Sequence, residues 1–305
     1  AALTKHLEGE QITEMGLLLE AGAVAFTDGR KSIMSARLMR SALSYASTFD
    51  ALVVHDAEDP SLAKDGAMNE GELASRLGLG GIPTAAESII VERDMALVKL
   101  TGGRYHLAQL SCADTLRVVA QAKKDGLDIT CAVSTQHLTL NENDVGDYRT
   151  FFKTNPPLRS EDDRIAMIHG LQDGVIDVIV SSHDPQGPAS KRLPFGEAAF
   201  GTVGLETMLP IALELVHNEQ IDLMTLLRAM TITPAEILGL PSGRLAPGAP
   251  ADFTLVDLGA PYIFDAETLK SRSKNSPFDG RKMQGRILRT VVGGKTIFEY
   301  EDPPA

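Results

Sequence analysis

Seven histidines occur in the 305 residues (His6, His55, His106, His137, His169, His183 and His217), and no two are two positions apart. Imidazoles and carboxylates are the side chains that hold divalent metals or move protons near neutral pH. Here they gather, with amide and hydroxyl companions, where short apolar runs end: Asp28, His55, Gln109 with Ser111, Ser134, and Ser182 with His183. Each alone reads as the polar start of a loop. Together they read as one face of an active site.

The elements that would bring them together alternate. Glu10–Ala21 is expected as a helix stopped by Gly22, and Ala23–Thr27 as a buried strand ending at Asp28-Gly29. Ser35–Phe49 follows as a helix with Leu38, Met39, Ala42, Leu43 and Ala46 on one face, then strand Ala51–Val54 running into His55. The order continues as helix 85–100 and strand 105–110, helix 115–124 and strand 129–133, and helix 161–171, capped by Ser160, before strand 175–180. Five strand–helix repeats with apolar strands fit an α/β chain folded as a (β/α)8 barrel, in which side chains at strand C-termini converge on one face. Helices are expected at 205–216 and 223–238. Beyond them a turn-rich stretch, 243–252, opens a strand at Phe253–Val256, and 287–298 reads as a hairpin turning at Gly293-Gly294. The division expected is a barrel over 1–240 and a small β module over 241–305.

Composition narrows the classes. A net charge of −12 with no long basic run argues against nucleic acid. No apolar run reaches the roughly 20 residues of a membrane span. Two cysteines, Cys112 and Cys131, in no CxxC spacing suggest reduced thiols and a cytoplasmic setting. Lys191-Arg192 reads as a solvated pair, with an anion contact near the site as the alternative.

Several motifs carry a family resemblance. Gly22–Gly29 is similar to the dihydroorotase segment that ends a strand in an acidic pair and glycine. His55-Asp56-Ala57-Glu58-Asp59 resembles that family's HxED element, and Asn155-Pro156-Pro157-Leu158-Arg159, followed by Glu161–Arg164, is a close match. Phe200-Gly201-Thr202-Val203-Gly204-Leu205-Glu206-Thr207 resembles its FGxxGLET region, and Ser276–Phe278 with Gly293–Lys295 its C-terminal β module. Hydantoinase and allantoinase share the implied fold but fit Asn155–Arg159 less well. The resemblance implies an amidohydrolase barrel of an alphaproteobacterial, pseudo-dihydroorotase-like type, its β module completing a composite sandwich with an upstream part. It implies zinc-dependent interconversion of carbamoyl aspartate and dihydroorotate in pyrimidine biosynthesis, a dimer as the usual assembly, and Asn155, His137, His183 and Gly201 on the substrate side.

The departures from the family lie at the metal positions. Asp28 and His55 match ligands; Gln109 stands where the family has a ligand histidine, and Ser182 where it has the aspartate that is both ligand and general base. The family's His-x-His pair has no counterpart in the chain. Three outcomes stay open: Asp184 acts as substitute base; a mononuclear site uses Asp28, His55 and His137; or the hydrolytic chemistry is gone. Three functions also stay open: an active dihydroorotase with a variant ligand set, an inactive member that assembles with aspartate transcarbamoylase, and a small-molecule binder that keeps the pocket without the chemistry.

Overall fold

The computed structural model describes residues 1–301. The chain opens as a small hairpin, Lys5 N donating to Gln11 O and Thr13 N to Leu3 O, so the helix expected from Glu10 begins only at Met15 (α1, Met15–Glu20). Gly22 then turns the chain with a φ of 96°. The strand expected at Ala23–Thr27 is reduced to a parallel bridge between Phe26 and Val53. Its neighbours turn the other way, Leu3 N donating to Thr27 O and Thr27 N to Ala1 O.

Helix α2 (Ala36–Ser47) starts where Ser35 accepts the Leu38 N–H, a cap that contributes about 1 kcal/mol. It buries Met39, Ala42, Leu43 and Ala46 on one face, as their spacing requires. Strand β1 (Leu52–His55) follows, then a short excursion of β2 (Met68–Asn69), α3 (Glu72–Leu77) and β3 (Gly81–Ile82). The alternation resumes with α4 (Ala85–Thr101), β4 (Arg104–Leu107), α5 (Ala113–Lys124), β5 (Ile129–Ser134), α6 (Thr135–Thr139), α7 (Glu161–Gln172) and β6 (Val178–Val180). Strands β1, β4, β5 and β6 pair in that order, all parallel, as one wall of a barrel. Helices α2, α4, α5 and α7 pack side by side in the same order. Val53, Tyr105, Leu107, Cys131, Val133 and Ile179 are buried in the core the two layers share. Residues 175 and 176 do not join β6, because their N–H groups complete the end of α7 by donating to Gly170 O.

After α8 (Pro188–Lys191) and α9 (Met208–His217), the expected helix 223–238 is two helices, α10 (Leu223–Met230) and α11 (Ile232–Ile237). Pro234 has no N–H to continue the first, and the break falls at Thr231, whose ψ is −82°. Strands β7 (Phe253–Ile263), β8 (Lys282–Val292) and β9 (Lys295–Glu299) form an antiparallel sheet. The hairpin turns at Gly293 and Gly294, both at positive φ. This sheet rests on α9: Arg281 pairs with Glu214 at 2.6 Å, and a Cβ on Gly285 would lie 2.5 Å from Leu213 Cδ1. Phe253, Leu255, Ile263, Ile297 and Phe298 remain exposed on it. No helix among the described residues is long and apolar enough to cross a membrane.

Candidate active site at the barrel mouth

The strand ends bring Asp28, His55, Gln109, Ser134 and Ser182 to one end of the sheet, and each arrives already engaged by protein. Buried Asp28 accepts the N–H groups of Leu3 and Thr4, at 3.0 and 2.8 Å, on Oδ1 and the Thr4 hydroxyl on Oδ2. His55 is 2% exposed. Its Nε2 accepts the Ile33 N–H at 2.8 Å, so the proton sits on Nδ1, which donates to Asp94 Oδ2 at 2.7 Å. Tyr105 donates its hydroxyl to the same Asp94 oxygen, and Arg93 holds the other through Nε and Nη2.

His137 is anchored similarly. Its Nε2 donates to Pro157 O at 3.1 Å, leaving Nδ1 to accept the Ser134 hydroxyl at 2.7 Å. Gln109, at the lost ligand position, approaches that same nitrogen with its amide at 3.4 Å. Burial pushes the His137 imidazole down to about 4, so it is neutral near pH 7. His183 accepts the Gly204 and Leu205 N–H groups on Nδ1, which directs its Nε2–H away from them. Asn155 donates to Glu58 Oε1 at 3.3 Å. Ser182 lies at a φ of 44°, a left-handed conformation uncommon for a residue with a side chain.

Asp184 sits in the loop after β6, its N–H on Thr202 O. Arg30 lies 3.0 Å from its Oδ2, an ion contact without an aligned hydrogen bond, while Gln186 donates to Oδ1. Its carboxylate lies over Gly201, where a Cβ would meet Oδ2 at 2.0 Å; that approach and a φ of 115° demand glycine. Neighbouring carboxyls hold their protons unusually well: burial, then Glu58, pushes Asp56 up to about 6, and burial raises Glu58. A cleft of about 550 Å³ opens beside the mouth, lined by Asp28, Arg30, Lys31, Ser32 and Glu58 and flanked by Leu7–Glu10.

Zinc, which the resemblance implies, does not fit this donor set. Among the described residues no three His, Cys, Asp or Glu side chains converge as a metal cluster. Gln109 and Ser182 are neutral, the lone pairs that would serve on His55 and His137 are taken by N–H and O–H donors, and Asp28 already accepts three hydrogen bonds from Leu3 and Thr4.

Sequence reasoning missed Asp94, Tyr105 and Arg30. A signal for Asp94 existed: with Glu87 it falls on the apolar face of α4 among Ile90, Val91 and Val98, where a carboxylate needs a partner. The solvated pair expected at Lys191-Arg192 is corrected at Lys191, which is 4% exposed and donates Nζ to the carbonyls of Thr150 and Ala199. Burial, then Lys153, pushes it down to about 8.

The fold and mouth define a barrel protein of the amidohydrolase type. The Dihydro-orotase-like family profile matches residues 1–115 and the Amidohydrolase family profile residues 171–298. The structure resembles the L-hydantoinase of Arthrobacter aurescens with a TM-score of 0.84 and 26% identity, over 94% of this chain and 67% of that one. It also resembles a dihydropyrimidinase from Brevibacillus agri, with a TM-score of 0.81 at 21% identity over 93% of this chain and 65% of that one, a likeness of fold. The dihydroorotase of Ehrlichia canis is 48% identical over 98% of this chain and 66% of its own length, and that of Desulforapulum autotrophicum 45% identical over 98% and 70%. The chain belongs to the dihydroorotase family, and it spans about two thirds of the length of these relatives.

Proposed function

We propose that this is a dihydroorotase-family protein of pyrimidine biosynthesis with little or no hydrolytic activity, acting as the partner of aspartate transcarbamoylase. The observation that carries the loss of chemistry is the state of the metal positions. Two are neutral, Gln109 and Ser182; of the survivors, His55 spends its Nε2 lone pair on the Ile33 N–H, and Asp28 is already engaged by Leu3 and Thr4. A hydrolase needs a group that makes hydroxide available near neutral pH and a base to move its proton. Asp184, the candidate substitute, faces Arg30 and Gln186. The transcarbamoylase as partner, a dimer, a cytoplasmic setting and the division at residue 240 extend the same family reading.

The alternative is an active zinc enzyme with a variant ligand set. Its supports are the 45–48% identity to relatives named dihydroorotase and the part of their length this chain does not match. Elemental analysis and steady-state dihydroorotate hydrolysis on full-length protein separate the two. The proposal expects well under one zinc per chain and no turnover above background; one or two zinc ions with rapid turnover would sink it. Co-purification with the transcarbamoylase tests the partner. If activity is absent, restoring Gln109→His with Ser182→Asp asks whether the scaffold still accepts the chemistry.

A further inference from the structure

The segment after Asp28 has a role that the loss of ligands does not by itself require. Gly29, at a φ of 65°, turns the chain back, and three of the next four residues, Arg30, Ser32 and Ile33, are fastened at two strand ends. Arg30 faces Asp184 at 3.0 Å, beyond β6. Ser32 donates its hydroxyl to Asp56 O and accepts the Glu58 N–H at 2.8 Å, beyond β1. Ile33, 1% exposed, sends its side chain into the core and its N–H to His55 Nε2. A carboxylate on Nδ1–H is the arrangement that holds a ligand histidine with its Nε2 lone pair presented to a metal. Asp94 provides that carboxylate, but the lone pair receives a backbone amide.

We infer that Arg30–Ile33 is a built-in occupant of the mouth, with the Ile33 N–H filling the coordination position of His55 and Arg30 supplying the positive charge beside Asp184. The inference rests on the reading of the protein as non-hydrolytic and adds to it: the mouth is closed by its own chain and needs no metal to tie its strand ends together. A buried lone pair left without a donor is costly, so an occupant is required once metal is lost. Arg30 adds electrostatic opposition to an entering dication.

The test uses full-length protein labelled with 15N-histidine, the His55 ring signals being assigned through His55→Gln. In the unmodified protein, Nδ1 should appear protonated and Nε2 as a hydrogen-bond acceptor. Ten equivalents of zinc should leave both signals in place, and the Ile33 amide should exchange at least about a hundredfold more slowly than in an unstructured peptide. Ile33→Pro deletes the donor and should move the Nε2 signal toward that of a free acceptor with no metal present. If that variant does not fold, the zinc titration and the exchange rate of the unmodified protein still decide. A His55 signal that shifts with the first equivalents of zinc, or an unprotected Ile33 amide, overturns the inference. Hydrolysis with His55 unshifted would instead overturn the non-hydrolytic reading and leave the occupant standing.

Discussion

His137 shows how a residue can keep its place in a site while losing its chemistry. Both ring nitrogens are satisfied in the neutral state, and burial lowers its pKa from 6.5 to about 4. The folded protein therefore binds fewer protons there than the unfolded chain between those values. The stability this contributes is fully present above pH 6.5 and is lost as pH falls toward 4. His137→Asn, which retains an acceptor for Ser134, should weaken the protein at pH 7. It should also remove the acid-dependent loss, so that the gap between the two proteins narrows by up to about 3 kcal/mol by pH 4. Urea unfolding at pH 7, 5.5 and 4 checks this; a constant gap would mean that His137 is solvated. Asp56 acts in the opposite direction, its carboxylate costing stability above about pH 6 and less as it protonates, so the comparison with His137→Asn isolates one group from the other.

Elements are held at the mouth by a charged residue that patterning alone assigns to a motif. Arg159, 3% exposed, donates Nε to Ser111 Oγ and Nη1 to Asn69 Oδ1 and Ile82 O, and lies 3.9 Å from Glu87 Oε2. It thus joins β2, β3, α4 and the end of β4 in one buried network. Glu87 in turn holds the Ser111 N–H and hydroxyl. Arg159→Ala leaves that carboxylate buried without its cation and should cost about 3–5 kcal/mol in urea unfolding. Arg159→Lys keeps the charge but not the planar fork and should recover only part of the loss. A cost below about 1 kcal/mol would show that the network is wet. The chain motif from Asn155 to Arg159 was legible as a unit, but its arginine's structural role needed β2 and β3 beside it.

For the molecule as a whole, the contact to watch is that between the C-terminal sheet and the barrel. Gly285, at a φ of 108°, lets β8 lie against Leu213 of α9, where any Cβ would clash. Gly285→Ala should destabilise by about 1–3 kcal/mol from backbone strain and displacement together. Limited proteolysis should then cut first within 282–299. Leu213→Ala in the same chain should relieve the steric part, a coupling read from a double-mutant cycle. Additive losses would mean that the sheet does not bear on α9 at that point.

Periodicity alone determined the alternation of strands and helices, the parallel sheet, the polar strand ends and the β hairpin, because each depends on neighbours a few residues apart in sequence. The faces of α2 and the cap at Ser160 follow from the same local rules. Sequence also displayed the neutral residues Gln109 and Ser182 where the family has ligands. Element lengths escaped it where distant groups compete for a backbone N–H or a proline removes one: Ala1–Leu3 took the partners of Thr27, Gly170 those of Val175 and Ile176, and Pro234 split the helix beyond α9. What became of the surviving ligands was decided only in three dimensions. A lone pair on His55 is the same in any sequence listing, but whether it faces a metal or the Ile33 amide depends on where a loop 22 residues upstream is laid down.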